Sequence, residues 1–303
     1  MKILHVVPGL DVIGNGIVVA AKLIAAEQGA DLMEAQLFAR GEGKLDGYDE
    51  VWVHSCWLPM VLKSCWRVLR AGKPLVRMTH ANLDPVRLRY HSWKKWLVGP
   101  IERFFLRRCA KIVATCEAEK GWIERYLGPH CPPVEVTDIK RFFKLQGTGS
   151  RKQEIGKPLH LLYLGRNHPL KGLEFLEEAI RQISSVPHSP FPVLPQLKVV
   201  SNAFGEEKEK VWDWCDVLVL PTLSENFGLV VAEALERGKR VITTDGAPAW
   251  ESECKMESVK CKVGDGELWS GYDGRLMYLK GYRDGTDEER VELLKKAIER
   301  ICK

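Results

Sequence analysis

The sequence contains no long apolar run: none approaches the roughly 18 to 20 residues that a membrane-spanning helix needs. Its nine cysteines are an odd number without the spacing of a disulfide framework, and no zinc set is completed around Cys254 and Cys261. Reduced thiols in a cytoplasmic protein are the simplest interpretation. The net charge of +5 is modest, and no zinc finger or aromatic RNA-binding strand accompanies it. Nucleic acid is therefore not an expected partner.

Acidic residues are almost missing between Arg87 and Lys111, where Glu102 is the only one. The basic residues of this segment are Arg87, Arg89, Lys94, Lys95, Arg103, Arg107, Arg108 and Lys111. Large apolar side chains, including Trp93 and Trp96, alternate with them. Two interpretations stay open. The segment is a helix with an apolar core face and a solvated basic face, or it binds an anionic acceptor or anionic lipid peripherally at the inner face of a membrane.

A chain of 303 residues exceeds the usual size of one core, so we expect two domains. Short apolar runs alternate with helical patterns, which indicates an α/β fold with parallel sheets. In the first half the predicted strands are Ile3–Val7, Ala35–Ala39, Val51–His54, Leu75–Thr79 and Lys111–Thr115. In the second half they are Leu159–Leu164, Leu197–Val200, Val217–Leu220 and Arg240–Thr243. A polar, glycine-containing stretch, Gln146–Lys157, is the predicted linker.

The predicted organisation is therefore an N-terminal domain over residues 1–150, a shortened C-terminal domain over 151–285, and a charged amphipathic helix over 286–303. Little room remains between Pro195 and Asp213 for further strands and helices, and the polar region from Glu251 to Gly285 has no clear pattern.

Chemistry-bearing residues concentrate at two predicted strand-to-helix loops of the second half. In the first, Arg166 and Lys171 follow the strand Leu159–Leu164, and two cations beside a helix start suit a diphosphate. An ordinary solvated loop is the alternative.

In the second loop, Glu225 precedes the predicted helix Phe227–Arg237 and Glu233 lies inside it. At about 1.5 Å of rise per residue their backbones would be roughly 12 Å apart, which matches the sugar and ribose ends of a nucleotide-sugar. The amides of Asn226, Phe227, Gly228 and Leu229 are predicted to be free helix donors that bind phosphate or sugar oxygens. Alternatively, both carboxylates are ordinary helix charges.

Together these segments resemble the retaining glycosyltransferases of family 4. The run Pro221-Thr222-Leu223-Ser224-Glu225-Asn226-Phe227-Gly228, followed by Glu233, is similar to the family's paired-glutamate motif. Gly165-Arg166 with Lys171-Gly172 is similar to its diphosphate-binding pair. Weaker similarities in the first half are Gly14-Asn15-Gly16, Met78 to Pro85 with His80, and Thr115-Cys116-Glu117-Ala118-Glu119. The family's Pro-Asn-Gly interdomain loop is missing, and Val134 to Ile139 stands at that place.

The resemblance implies a GT-B fold, in which two Rossmann-like domains have parallel sheets facing across a cleft. It implies that Glu233 binds ribose, that Glu225 contacts the donor sugar, and that Arg166 and Lys171 neutralise the departing diphosphate. Gly14 and Gly16 would also bind the donor. His80 would contact the donor sugar or orient the acceptor, although a structural histidine at a strand end remains open.

The expected activity is retaining transfer from a nucleoside-diphosphate-sugar, by default a UDP-sugar, to a glycan or lipid-linked acceptor. The sequence has no Asp-x-Asp motif, so we expect neither a metal ion nor another cofactor. A related sugar-phosphate enzyme, such as an epimerase or phosphorylase, and a non-catalytic sugar-nucleotide-binding protein are the alternatives. The base, the donor sugar and the linkage are not predicted.

Overall fold

The computed structural model describes residues 1–303 except 13, 91, 146–156, 186–192, 202, 257–265, 273 and 302–303. The chain forms two compact units, Met1–Phe142 and Phe143–Lys303. The predicted linker lies outside the described residues except for Lys157, as does the predicted domain boundary at residue 150. Among the helices that the structure describes, none is long and apolar enough to cross a membrane.

The first unit is built on a parallel sheet with the strand order β2-β1-β3-β4-β5-β6. Its strands are β1 (Ile3–Val7), β2 (Asp31–Glu34), β3 (Glu50–His54), β4 (Leu75–Met78), β5 (Lys111–Ala114) and β6 (Val134–Val136). Its helices are α1 (Gly16–Gln28), α2 (Ala35–Ala39), α3 (Pro59–Arg70), α4 (Pro85–Arg89), α5 (Ser92–Leu106) and α6 (Glu117–Leu127). Because helices cover a parallel sheet, the central strands are buried and mostly apolar, as in β1 and β4, which each bury one polar residue, His5 and Arg77.

The prediction of a strand at Ala35–Ala39 is wrong, because these residues form helix α2. The strand lies just before it, at Asp31–Glu34, and pairs with β1. Glu34 ends that strand and caps the helix, since its side chain accepts a hydrogen bond from the Gln36 amide at 3.2 Å. A five-residue apolar run cannot be assigned from periodicity alone, and here the cap decides.

The second unit has a mixed sheet with the strand order β11-β12-β13-β10-β9-β7-β8. Its strands are β7 (His160–Leu164), β8 (Gln196–Val200), β9 (Val217–Leu220), β10 (Arg240–Thr244), β11 (Cys254–Met256), β12 (Glu267–Gly271) and β13 (Leu276–Lys280). Its helices are α7 (Leu173–Ser185), α8 (Gly205–Trp214), α9 (Leu229–Glu236) and α10 (Asp287–Ile301). Strands β7, β8, β9, β10 and β13 are parallel, so their carboxyl ends share one edge.

Two parts of this unit depart from the predictions. The interval between Pro195 and Asp213 holds both β8 and most of α8, so it is not too short for regular elements. The unassigned region after Glu251 supplies three strands, of which β12 is antiparallel to both β11 and β13.

Helix α10 belongs to the core of the second unit. Its buried side chains pack in the same apolar cluster as α7 and the strands; they are Val291, Leu293, Leu294, Ala297, Ile298 and Ile301. The amphipathic pattern thus predicted the helix, whose apolar face covers the sheet.

Candidate functional site

The two predicted chemistry-bearing loops of the second unit lie side by side. The Leu223 amide, after β9, donates to the Leu170 carbonyl, after β7, at 2.9 Å. The Glu225 amide donates to the Gly246 carbonyl, after β10, at 2.7 Å. Hydrogen bonds therefore continue the sheet beyond its strands, and three loops meet at its carboxyl edge.

Two glycines allow these loops to approach so closely. A Cβ atom on Gly172 would lie 2.1 Å from the Pro221 carbonyl oxygen, and one on Gly246 would lie 2.0 Å from the Thr222 carbonyl oxygen. Gly172 also has a φ of +64°, which side chains disfavour. The loop after β7 therefore sits directly on the backbone of the loop after β9.

Lys171 and Glu225, one from each loop, form an ion pair. Their side chains are 14% and 19% exposed, so water reaches the pair only in part. The second carboxylate oxygen of Glu225 accepts from the Asn226 amide at 3.1 Å. The predicted diphosphate cation and the predicted sugar-binding carboxylate are thus brought together, with each other as partners.

Arg166 is placed differently from Lys171. It lies in the exposed part of the loop after β7, where its carbonyl accepts from the Tyr163 hydroxyl at 3.0 Å. Within the residues that the structure describes, its side chain makes no hydrogen bond or ion pair. The structure therefore does not join the two predicted cations through a common partner.

The helix after Glu225 begins two residues later than predicted. Gly228 has a φ of +74° and precedes α9, which starts at Leu229. The Asn226 amide is occupied by Glu225, and the Phe227 carbonyl accepts from the Trp250 indole at 2.6 Å. The prediction that the helix begins at Phe227 is therefore wrong, and the Asn226 amide is not a free donor, whereas the amides of Phe227, Gly228 and Leu229 stay candidate donors. The predicted distance between the Glu225 and Glu233 backbones assumed helical rise along the whole segment, but the segment is helical only from Leu229 onward.

Glu233 lies on α9 and pairs with Lys208 of α8. The Lys208 ammonium is 2.8 Å from one carboxylate oxygen and 2.6 Å from the other, and both side chains are about a quarter exposed. The sequence did not point to Lys208, because α8 begins with the highly charged run Glu206 to Lys210 and its apolar side begins only at Val211.

In the first unit, Gly14 and Gly16 lie in the loop after β1 and at the start of α1. Gly14 has a φ of +77°, and Asn15 caps the helix by accepting from the Ile17 amide at 3.1 Å. Both predicted glycines are exposed at the amino end of a 13-residue helix. No described contact joins them to a predicted catalytic residue.

His80 follows β4 and is only 1% exposed. Its Nε2 is 2.8 Å from His54 Nδ1, and His54 Nε2 is 2.9 Å from His5 Nδ1. His80 and Ala81 both have positive φ values, +52° and +56°. Non-glycine residues held in this region are uncommon, and they concentrate at functional sites.

Glu119 of α6 holds this loop. Its buried carboxylate accepts from the Ala81 amide at 2.5 Å, the Thr79 hydroxyl at 2.6 Å, and the Thr115 amide and hydroxyl at 2.8 and 2.7 Å. Four donors satisfy a charge that would otherwise be costly to bury. Sequence reasoning assigned no role to Glu119, His54 or His5; the signal available was a polar residue inside or beside an apolar strand.

Helix α5 carries the basic, aromatic segment. Its inward side buries Glu102, which pairs with the fully buried Arg77 at 2.7 Å and accepts from the Trp57 amide at 2.9 Å. The outer side exposes large apolar side chains: Trp93, Trp96, Leu97, Ile101 and Phe104. The interpretation of a helix with an apolar core face therefore holds for Phe105 and Leu106 but not for these five side chains. Because Glu102, the single acid of α5, is buried, the exposed surface of the helix combines aromatic rings with the basic side chains of Lys94 and Arg103.

The described residues assemble no group of three or more histidine, cysteine or acidic side chains able to hold a metal ion. Cys261, one of the two cysteines considered as metal ligands, lies outside them.

Two family models match successive parts of the chain. A glycosyl transferase 4-like domain matches residues 14–138, and a glycosyl transferases group 1 domain matches residues 158–259. Together the matches span about three quarters of the chain, one in each unit. No curated protein matches the sequence significantly.

Solved structures show the same fold. The chain is similar to sucrose-phosphate synthase from Thermosynechococcus elongatus, with 15% identity, a TM-score of 0.66, and coverage of 99% of this chain and 89% of the other. It is also similar to the lipopolysaccharide outer core galactosyltransferase WaaB, with 14% identity, a TM-score of 0.59, and coverage of 100% of this chain and 92% of the other. A third similar structure is an E. coli trehalose-6-phosphate structure bound with UDP-2-fluoro glucose, with 12% identity, a TM-score of 0.57, and coverage of 99% of this chain and 93% of the other.

These similarities confirm the GT-B fold predicted from the sequence. The chain belongs to the glycosyltransferases, with a glycosyl transferase 4-like domain in its first unit and a group 1 domain in its second.

Proposed function

We propose that this glycosyltransferase is retaining and metal-independent, and that it transfers sugar from a nucleoside-diphosphate-sugar, with UDP-sugars as the first candidates, to a glycan or lipid-linked acceptor. The observation that carries the proposal is the Lys171–Glu225 pair, placed where the loops after β7, β9 and β10 meet. Two similar structures support it: one binds UDP-2-fluoro glucose, and another is a trehalose-6-phosphate synthase described as transferring with retention.

The Lys171–Glu225 pair can exchange partners when a donor binds. A diphosphate is a stronger partner for the Lys171 ammonium than a single carboxylate, and it would leave Glu225 able to accept hydrogen bonds from sugar hydroxyls. Arg166, exposed on the same loop, adds a second cation. Both cations then lie where negative charge grows as the diphosphate departs, which is electrostatic catalysis.

The transfer step exchanges one bond at the anomeric carbon. The bond to the diphosphate oxygen breaks, the acceptor oxygen bonds to the same carbon, and the acceptor proton passes to the departing diphosphate. Attack from the face that the diphosphate leaves would retain the anomeric configuration without a glycosyl-enzyme. We propose that His80 contacts a donor-sugar hydroxyl or orients the acceptor.

We expect transfer, or donor hydrolysis, to persist in excess EDTA, because Lys171 and Arg166 supply the fixed positive charge. Lys171→Ala should lower kcat far more than it weakens binding of an uncharged acceptor, since the charge it meets is largest in the transition state. Steady-state kinetics with and without EDTA measure both effects. Activity lost in EDTA and restored by magnesium or manganese would contradict the metal-independent assignment.

Glu233 is proposed to hold the ribose hydroxyls while Lys208 keeps it in place. A carboxylate has about four lone-pair positions, so Lys208, which contacts both oxygens, leaves other positions for the ribose diol. Glu233→Ala should weaken donor binding by about 1 to 3 kcal/mol in calorimetry. The matched control is Glu209→Ala, which removes the ion pair at 2.7 Å between Glu209 of α8 and Arg237, the residue that follows α9. Equal donor affinity in both variants would remove Glu233 from the site.

A thermal-shift panel of UDP-, GDP- and ADP-sugars selects the donor, because a ligand that binds only the native protein raises Tm. A sugar nucleotide that raises Tm without any turnover would favour the non-catalytic binding protein. Conversion of a sugar nucleotide without an acceptor product would favour an epimerase-like enzyme.

The outer surface of α5 supports a further part of the proposal, peripheral binding to anionic membranes. Trp96 is 78% exposed, and Lys94 is exposed beside Trp93. Indole rings and lysines on one helix side suit the interface of an anionic bilayer. A lipid-linked acceptor would then meet the enzyme at that surface.

Vesicle sedimentation tests this part. Each basic residue near an anionic surface contributes about 1 kcal/mol, so Lys94→Glu with Lys95→Glu should weaken binding strongly and in a salt-dependent way. Lys22→Glu with Lys44→Glu changes the charge equally at exposed positions of the same unit and should have a smaller effect. Equal binding of the wild type to neutral and anionic vesicles would contradict the membrane proposal.

A further inference from the structure

Phe204 presents an aromatic ring at the carboxyl edge of the second sheet. It follows strand β8, directly precedes α8, and is 44% exposed. Its side chain makes no capping hydrogen bond for α8. Within the part of the chain that the structure describes, no other ring stacks on it and no cation lies over it. A single exposed ring is ordinary on a protein surface, so its significance depends on what lies beside it.

The loop that carries Phe204 lies beside the loop with the predicted diphosphate cations. Strands β7 and β8 end level, since Leu164 pairs with Val200 and the Gly165 amide donates to the Val200 carbonyl at 3.0 Å. The strand order β9-β7-β8 therefore places the three loops after these strands next to one another. Adjacent strands are about 4.8 Å apart, so the ends of β9 and β8 are separated by roughly 10 Å.

Helix α8 connects Phe204 to the proposed ribose site. Lys208 lies four residues after Phe204, and its ammonium contacts the Glu233 carboxylate at 2.8 and 2.6 Å. Residues four apart share one side of a helix, and four residues rise about 6 Å. In a nucleotide the base is bonded directly to the ribose. A ribose at Glu233 would therefore hold its base within reach of the Phe204 ring.

The charges near Phe204 favour an uncharged group over a phosphate. Helix α8 begins with Gly205, Glu206 and Glu207, and both glutamates are exposed. Their negative charge repels a diphosphate, which the cation Lys171 on the neighbouring loop attracts. A nucleobase is uncharged at neutral pH, and its flat face stacks on aromatic side chains.

We propose that the Phe204 ring is the stacking partner of the donor's nucleobase. The proposal rests on the proposed function, in which the second unit binds a nucleoside-diphosphate-sugar. The donor then lies along the sheet edge in one direction, from the sugar at Glu225 through the diphosphate to the ribose at Glu233 and the base at Phe204. Because every base has a stacking face, the ring contributes affinity without selecting one base.

Phe204→Ser separates this role from a structural one. Serine can cap α8, so the Tm of the free protein should stay unchanged or rise. Loss of one stacked base should raise the Kd of UDP about tenfold or more in calorimetry, and the increase in Tm that UDP causes should shrink. Phe204→Tyr keeps the stacking face, so its Kd should stay within about threefold of wild type. GDP or ADP replaces UDP as the probe if the wild type binds one of them instead.

Two controls isolate the base. Inorganic pyrophosphate has no base, so wild type and Phe204→Ser should bind it with the same Kd. Leu194→Ala removes an apolar side chain of nearly equal exposure, 43%, before the amino end of β8, and should leave the Kd of the nucleotide unchanged.

Nuclear Overhauser effects give a direct measurement in the full chain. With ring-labelled phenylalanine, the base protons of the bound nucleotide should show contacts to one phenylalanine ring. Phe204→Ser should abolish these contacts, whereas Leu194→Ala should keep them. Contacts that persist in Phe204→Ser would contradict the proposal.

A nucleotide that binds wild type and Phe204→Ser with equal Kd would overturn the inference and leave the proposed function intact. Equal weakening of nucleotide and pyrophosphate would also overturn it, because the ring would then act through the fold of its loop. If Phe204→Ser lowers the Tm of the free protein, Phe204→Leu carries the comparison, since it keeps an apolar side chain without a stacking face. A wild type that binds none of UDP, GDP and ADP contradicts the proposed function, and the assignment of Phe204 falls with it.

Discussion

The carboxyl edges of the two sheets are built in opposite ways. In the first unit, charged groups are buried and paired with each other, as Arg77 and Glu102 are, or bonded to backbone amides, as Glu119 is. In the second unit, the backbones of the loops touch, and the charged pairs Lys171–Glu225 and Lys208–Glu233 lie partly in water. A buried network holds one geometry, whereas a half-exposed pair can exchange its partner for a ligand. We therefore expect the first unit to position groups and the second to bind the charged part of the donor.

Acid should have the largest effect, and it should act on the first unit. Since burial lowers the pKa values of His5, His54 and His80 in the folded chain, the unfolded chain binds more protons below about pH 6.5. Above this pH the three histidines do not reduce the free energy of unfolding. As the pH decreases toward 4, the free energy of unfolding falls by up to about 1.4 kcal/mol per pH unit for each histidine.

Hydrogen exchange at pH 7 and pH 5.5 measures this loss separately for each unit. Peptides from β1, β3 and β4 should lose protection, while those from β9 and β10 keep more of theirs. Equal losses in both units would contradict the contrast between the two edges.

Removal of one member of the buried ion pair comes next. Arg77→Met leaves the Glu102 carboxylate buried without its cation, so it should reduce the free energy of unfolding by about 3 to 5 kcal/mol in denaturant titrations. Arg77→Met combined with Glu102→Met removes both charges and should recover part of the loss, apart from the acceptor for the Trp57 amide. A double variant less stable than Arg77→Met would contradict this expectation, because it would show that Glu102 stabilises the unit even without its cation.

The close backbone approach in the second unit should be nearly as sensitive. Gly172→Ala adds a Cβ atom against the Pro221 carbonyl at a positive φ, and we expect a loss of about 3 kcal/mol with reduced donor affinity. Gly47→Ala is the control, because nothing lies within 4 Å of its added Cβ. An unchanged midpoint in Gly172→Ala would mean that the loops separate easily.

The half-exposed pairs should matter least for stability. Lys208→Met should change the free energy of unfolding by less than about 1 kcal/mol, because partly exposed ion pairs contribute little. The same variant should still alter donor binding, since Glu233 loses its partner. A stability loss as large as that of Arg77→Met would remove the distinction between the two edges.

Sequence patterns predicted the elements whose periodicity extends over several turns or a full buried strand, such as α10, β7 and β9. They failed where one residue decides the local backbone. Gly228 moves the start of α9, and Glu34 turns Ala35–Ala39 into a helix. Both outcomes depend on capping geometry that composition alone does not determine.

The candidate site divides in the same way. The motif residues Lys171, Glu225 and Glu233 could be identified from spacing along the chain. Their partners could not, because Lys208 lies 25 residues from Glu233, and His5 lies 49 residues from His54. Contacts between distant parts of a chain follow from strand order, and strand order is not encoded in any local pattern.

The position of α10 affects how the molecule is made. The first unit contains its whole sheet within the first 142 residues, so it can finish folding while the ribosome is still synthesising the second. The second unit depends on Val291, Leu294 and Ile298 to cover α7 and the sheet, and these residues are synthesised after all the strands of that sheet. A nascent chain stalled before α10 would therefore expose an apolar surface on an otherwise assembled sheet, and this is the stage at which we expect chaperones to bind it.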